Sequence, residues 1–170
     1  SGSSVSFNED ATIMAIGAIY ADGSGGSNSG HVRVYQFSND SWTQLGADID
    51  GEAASDYSGQ SVSLSSDGNT IAIGAYANDG NGSSSGHVRI YNYNGTAWTQ
   101  LGSDIDGEAA NDQSGQSVSL SSDGNTVAVG AFYNDGNGGD SGHVRIYNYN
   151  GAWTQLGADI DGEAASDYSG

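Results

Sequence analysis

The residues of this sequence best suited to chemistry are three acidic stretches. Asp48, Asp50 and Glu52 recur as Asp104, Asp106 and Glu108 and again as Asp159, Asp161 and Glu163, each set followed by Asp56, Asp112 or Asp167. Twelve of the 21 acidic residues lie there. Carboxylates spaced alternately and broken by glycine offer hard oxygen ligands, of which calcium gathers about six to eight. The stretches lack the full ligand order of a known calcium loop. The other reading is therefore a polar connector whose carboxylates cap turns and meet the arginine of a neighbouring strand. No cofactor is required on either reading, and Ca2+ is the ion that the first would take.

Tyrosines form a second candidate set. Tyr20, Tyr76 and Tyr133 stand near the starts of variable loops rich in Gly, Ser and Asn at residues 22–30, 79–86 and 135–142, together with Asp79 and Asp135. Variable loops on a repeated scaffold are a usual place for recognition, and these rings could stack on a glycan or on a protein partner. The plainer alternative is a hairpin loop with strand-end aromatics. His31, His87 and His143 recur with Arg33, Arg89 and Arg145 two positions later, on the same strand face. One histidine per copy makes a compact metal site only if all point to a common axis, so these read as structural. Trp42, Trp98 and Trp153 read as packing between copies. Every Ser, His or Asp that could serve catalysis occurs three times, and no phosphate-cradling loop or Cys and His cluster appears. The chain reads as a non-enzyme.

All these residues recur because the chain repeats. Val5, Val62 and Val118 share a column, as do the three histidines and the three tryptophans, at a spacing of 55 to 57 residues. The copies cover residues 1–57, 58–113 and 114–168, and Ser169 and Gly170 open a further one. Copies two and three differ at nine aligned positions and by the deletion of Thr96. Such a period marks a unit that cannot bury its faces alone.

Within the second copy, SVSLS alternates with Val62 and Leu64 apolar, the period-two signature of a strand. Asp67-Gly68 supplies a turn, and TIAIGAY resumes the alternation, with Ile71 and Ile73 on one side and Ala72 and Gly74 on the other. Small residues there allow close approach, which predicts that this strand lies near a crowded axis. HVRIYNY makes a third strand, Asn94-Gly95 a turn, and AWTQLG an outer fourth strand before the acidic connector. Four strands per repeat describe the blade of a β-propeller. Composition agrees, with 28 glycines and neither proline nor cysteine beside many β-branched and aromatic residues.

The order SGQSVSL, DGNTIAIGA, GHVRIY resembles FG-GAP repeats, the blades of integrin-α-like propellers. Ser58-Gly59 stands where that family often has Phe-Gly, and Gly74-Ala75 matches the start of its Gly-Ala-Pro, with Tyr76 in place of the proline. The first copy has Asp10-Ala11 where the others have Asp-Gly, so its first hairpin is expected to turn less well. The resemblance implies an all-β propeller that binds or adheres, in a secreted or cell-surface protein. Calcium-binding members carry an Asp-rich loop between their first two strands; here that connection is SSDGN, so Asp67 and Asp123 read as turn formers.

Charge narrows the partners. Three arginines and no lysine stand against 21 acids, for a net charge of −18. Nucleic acid needs clustered positive charge and is excluded as a partner. No apolar run approaches the roughly 20 residues that cross a bilayer as a helix. With no starting Met, the chain reads as an excised or processed piece, with any signal peptide missing.

Propellers close with about four to eight blades, and three leave two apolar faces bare. The sequence therefore predicts a homo-oligomer, a head-to-tail homodimer closing a six-bladed ring through seams like its internal ones. Two other functions remain open at this point: an architectural, recently amplified blade, and a calcium-dependent carbohydrate-binding propeller.

Overall fold

The computed structural model describes residues 1–170 as fifteen strands without a helix. Three sheets follow one another. The first comprises β1 (Val5–Phe7), β2 (Ile13–Ala18), β3 (His31–Ser38), β4 (Ser41–Gln44) and β5 (Ile49–Asp50); the second comprises β6 (Ser61–Leu64), β7 (Thr70–Ala75), β8 (His87–Tyr93), β9 (Trp98–Gln100) and β10 (Ile105–Asp106). The third comprises β11 (Ser114–Leu120), β12 (Thr126–Ala131), β13 (His143–Tyr149), β14 (Trp153–Gln155) and β15 (Ile160–Asp161). In each, four strands pair antiparallel in chain order, and a two-residue fifth strand pairs with the opposite end of the third. These are propeller-like blades, and the short fifth strand belongs to the acidic connector.

The alternation in TIAIGA has a direct consequence. Because successive side chains leave a strand on opposite faces, Ile71 and Ile73 pack with Val32, Val34 and Ile49 of the first blade, while Ala72 packs with Val127 and Val129 of the third. The two hydrophobic cores are thus the two seams between blades. Burial follows the seams: all six residues of β7 are buried, whereas in β12 burial alternates, because the face of the third blade that looks away from the second is uncovered.

Neighbouring blades come closest at their first strands, β1, β6 and β11, while the fourth strands β4, β9 and β14 form the outer edge. β7, the strand expected near a crowded axis, is second from this inner edge and packs against β11 of the next blade. The serines of the first strands explain this. Leu64 N donates to Ser6 Oγ at 3.1 Å and Leu120 N to Ser63 Oγ at 2.9 Å, so hydroxyls of one blade satisfy edge amides of the next. Gly74 keeps the second strand close as well: a Cβ there would lie 2.0 Å from the Gly115 carbonyl oxygen, so only glycine fits.

Local turns obey the residues that make them. In the second blade, Asp67 accepts from Ser65 Oγ and Asn69 N, with Gly68 at φ +72°. The first blade makes the same hairpin with Ala11 at φ +54°, a conformation that costs a side-chain-bearing residue roughly 1 kcal/mol. Asn39 and Asp40 both take positive φ in the β3–β4 turn, the combination that suits a two-residue hairpin.

Candidate functional site

Each seam carries a polar cluster at the end where the connector runs back across the blade. His87 opens β8 and pairs in register with Asp106 of β10, which leaves its imidazole facing the first blade. From that blade, the connector's Glu52 meets Arg89 through Oε1 and Nη1 at 3.1 Å, and Arg89 Nη2 donates to the Asp50 carbonyl at 2.8 Å. The guanidinium also lies over the ring of Tyr91 at 5.6 Å. From the histidine's own blade, Asp104 Oδ2 stands 3.8 Å from His87 Nδ1, and its Oδ1 accepts from Gln100 Nε2 at 2.5 Å. Burial, with the Arg89 charge alongside, pushes the imidazole down to about 4, so His87 is neutral near pH 7.

The second seam repeats this arrangement. Arg145 meets Glu108 at 3.3 Å and donates to the Asp106 carbonyl at 3.1 Å; His143 Nδ1 stands 3.8 Å from Asp159 and 4.0 Å from Glu108. Burial and the Arg145 charge lower the His143 imidazole as well. The first blade departs from the pattern. Arg33, 42% exposed against 7% for Arg89, turns onto Asp48 of its own blade at 2.8 Å and holds that carboxyl below its ordinary range.

The acids of one connector therefore do not gather at a single point. Asp48, Asp104 and Asp159 face the histidine of their own blade, while Glu52 and Glu108 reach the next blade. Asp50 stays beside Asp48 and His31, their ligand atoms within 4.8 Å of one another, and its Oδ2 accepts from Ser24 N at 3.1 Å. Burial and the neighbouring Asp104 push the Asp106 carboxyl up. Asp161 and Glu163 are exposed at the open end. The calcium loop of related propellers does not fit the first hairpins, because both Asp67 oxygens are engaged by Ser65 and Asn69.

The loop candidates are placed differently. Asp79 Oδ1 accepts from Ser84 N at 2.7 Å and Asp135 Oδ1 from Asp140 N at 2.8 Å, so both close their own loops. Tyr20 is 73% exposed and meets Tyr57 edge-on at 5.8 Å; Tyr57 then stacks on Tyr76 at 5.5 Å. Tyr133 meets Tyr168 in the same edge-on way at 5.6 Å. Tyr76 directly follows β7, whereas Tyr20 and Tyr133 stand two residues past β2 and β12, so the three are not equivalent. Tyr57 and Tyr168 were not among the sequence candidates, although they share a column at the close of the connector. Trp98 and Trp153 cross the seams, their Nε1 donating to the Leu45 carbonyl at 2.8 Å and the Leu101 carbonyl at 2.7 Å. A cleft of about 290 Å³ opens beside Trp98, Tyr91, Asp48 and Asp50, and one of about 210 Å³ at the equivalent place in the second seam.

With this geometry in hand, likeness to known proteins is informative. The family model described as FG-GAP repeat matches residues 47–91 and 104–147, just over half of the chain. Each match begins in a connector and runs to β8 or β13, so the family unit spans a seam. Among solved structures, a candidate 6-phosphogluconolactonase from Bacteroides fragilis aligns over 95% of this chain and 39% of its own, with TM-score 0.63 and 12% identity. Its counterpart from Bacteroides uniformis aligns over 95% and 41%, with TM-score 0.61 and 13% identity. A hypothetical selenium-binding protein from Sulfolobus tokodaii aligns over 95% and 45%, with TM-score 0.55 and 14% identity. At such identities the likeness is one of fold alone, and the chain spans less than half the length of each. No curated protein matches the chain by sequence.

Proposed function

The chain belongs to the FG-GAP repeat family, and from that premise we propose that it is a non-enzymatic β-propeller module of a secreted or surface protein, which binds through its rim loops once a second copy completes its ring. One observation carries the ring: the two open faces expose the same columns that the internal seams bury. Ile49 and Ile105 are 5% and 4% exposed, whereas their counterpart Ile160 is 54% exposed. Leu156 is likewise exposed on the third blade, and Val5, Phe7 and Trp42 on the first. Burying side chains of this size contributes about 1.5–3 kcal/mol each.

Head-to-tail docking supplies every partner that the internal seams use. Trp42 would donate to the Leu156 carbonyl, and Arg33 would leave Asp48 for Glu163 and the Asp161 carbonyl. Ser169 bridges Gly142 as Ser58 bridges Gly30 and Ser114 bridges Gly86, so it sits where the next blade begins. In a closed ring it and Ser1 of the following copy would compete for one place, and one of them would be displaced. The lactonase-like fold neighbours share architecture only, at 12% and 13% identity, and lend catalysis no support. Ile160→Arg tests the proposal in sedimentation: the variant is expected to run as a 17.2 kDa chain where the parent runs at twice that mass. Identical sedimentation of the two would refute ring closure through this face.

A further inference from the structure

We propose that each seam binds a divalent transition-metal ion of the zinc class, held by the histidine and aspartate of one blade and the glutamate of the preceding connector: Glu52, His87 and Asp104 at the first seam, Glu108, His143 and Asp159 at the second. The observation that carries this is an orphaned atom. His143 is 1% exposed, yet its Nδ1 has no hydrogen-bond partner. Leaving a buried polar nitrogen unpaired is costly, and such groups call for a partner.

The oxygens facing that nitrogen are Glu108 Oε2 at 4.0 Å and Asp159 Oδ2 at 3.8 Å. Both are too far away to accept a hydrogen bond. The other oxygen of each carboxylate is engaged, Glu108 Oε1 with Arg145 Nη1 at 3.3 Å and Asp159 Oδ1 with Gln155 Nε2 at 2.5 Å, which leaves Glu108 Oε2 and Asp159 Oδ2 to face the nitrogen. The first seam has the same division of labour, Glu52 Oε1 serving Arg89 and Asp104 Oδ1 serving Gln100.

Spacing and chemistry fit one class of ion. The candidate ligand atoms of each cluster lie within 4.8 Å of one another. Zinc bonded at about 2.0–2.2 Å sets its ligands roughly 3.4 Å apart in a tetrahedron, so the atoms need to close by no more than about 1.4 Å. The exposed glutamates can make that movement. One nitrogen with two carboxylates suits zinc-class ions, while calcium prefers an all-oxygen shell. Two carboxylates against one arginine leave each cluster negative before an ion arrives. His31 lacks this arrangement, since Arg33 engages both oxygens of Asp48.

The test is calorimetric titration of Zn2+ into the full chain after chelator treatment, beside the double variant E52Q/E108Q. These residues are exposed, and glutamine keeps their length, so folding is preserved and thermal denaturation of the metal-free proteins checks it. The expected result is micromolar binding of at least two ions per chain, at least about tenfold weaker in the variant. Co2+ in place of Zn2+ is expected to give the visible absorption of a nitrogen-ligated, low-coordinate site in the parent alone. No binding at millimolar Zn2+, or equal affinity in parent and variant, would overturn the proposal. Because the Zn2+ sites lie at internal seams, their loss would leave ring closure untouched.

Discussion

Replacing each seam tryptophan by phenylalanine separates a seam that exists within the chain from one that must be made between chains. Phenylalanine preserves the aromatic contact with Tyr93 or Tyr149, at 5.1 Å in both cases. What is lost is the indole N–H bond to the Leu45 or Leu101 carbonyl. A neutral hydrogen bond of this kind contributes about 1 kcal/mol, equivalent to a fall in Tm of roughly 2–4 °C for a domain of this size. Trp98→Phe and Trp153→Phe are each expected to show it in thermal denaturation at low protein concentration. Trp98 and Trp153 donate across a seam and Trp42 does not, so Trp42→Phe leaves the isolated chain at parental stability. In a two-chain ring the same change removes a bond at both closing seams, about 2 kcal/mol together, and weakens self-association roughly thirtyfold. Equilibrium sedimentation over a concentration series reads that factor. If Trp42→Phe costs the isolated chain as much as Trp98→Phe, or leaves association unchanged, the reasoning about equivalent seams is wrong.

Gly74→Ala is expected to destabilise by about 2–3 kcal/mol, because the new Cβ would fall 2.0 Å from the Gly115 carbonyl oxygen and force the seam apart. Gly95→Ala, where a Cβ meets nothing within 4 Å, is expected to cost about 1 kcal/mol from its φ of +96° alone; urea titration compares them, and equal costs would contradict the packing argument. Ala11→Gly is expected to stabilise by about 0.5–1 kcal/mol by removing a side chain from a left-handed position, and a neutral or harmful effect on Tm would count against it. Acid dependence follows from Asp67. Burial opposes its ionised form, but the hydrogen bonds from Ser65 and Asn69 outweigh this and hold the carboxyl below its ordinary value of 3.8. Its contribution is therefore fully present above that value and lost as pH falls through the lowered folded one. The stability gap between the parent and Asp67→Ala, about 1 kcal/mol at neutral pH, is expected in urea titrations to narrow as pH falls below 3.8 and through the lowered folded value. A gap that stays constant with pH would refute the role of the charge.

Much of the fold was legible because the alternation in SVSLS, TIAIGA and HVRIY is strong and recurs three times. The same alternation does not say where its polar half goes: the neighbouring blade makes Ser6 and Ser63 acceptors for the Leu64 and Leu120 amides. The fifth strands escaped notice because Ile105–Asp106 is two residues long, too short for any period to register. Their absence from the reading had a larger effect. Pairing of β10 with β8 carries the connector back beside His87, which joins the acids to the histidines. Counting acids within one connector left out the histidines: Asp48 and Asp50 gather with His31 of their own blade, while Glu52 lies with His87 and Asp104 of the next. Such a combination depends on how blades follow one another and is invisible along a single copy. The loop tyrosines illustrate the same limit, since the stack of Tyr57 on Tyr76 crosses the first seam.

The claim on which the rest depends is that a seam buried within the chain is remade between chains. Static light scattering of the parent protein at low micromolar concentration tests it most directly. The account predicts a single species of twice 17.2 kDa that dissociates only on further dilution. A folded species of 17.2 kDa, stable across the concentration range, would contradict it.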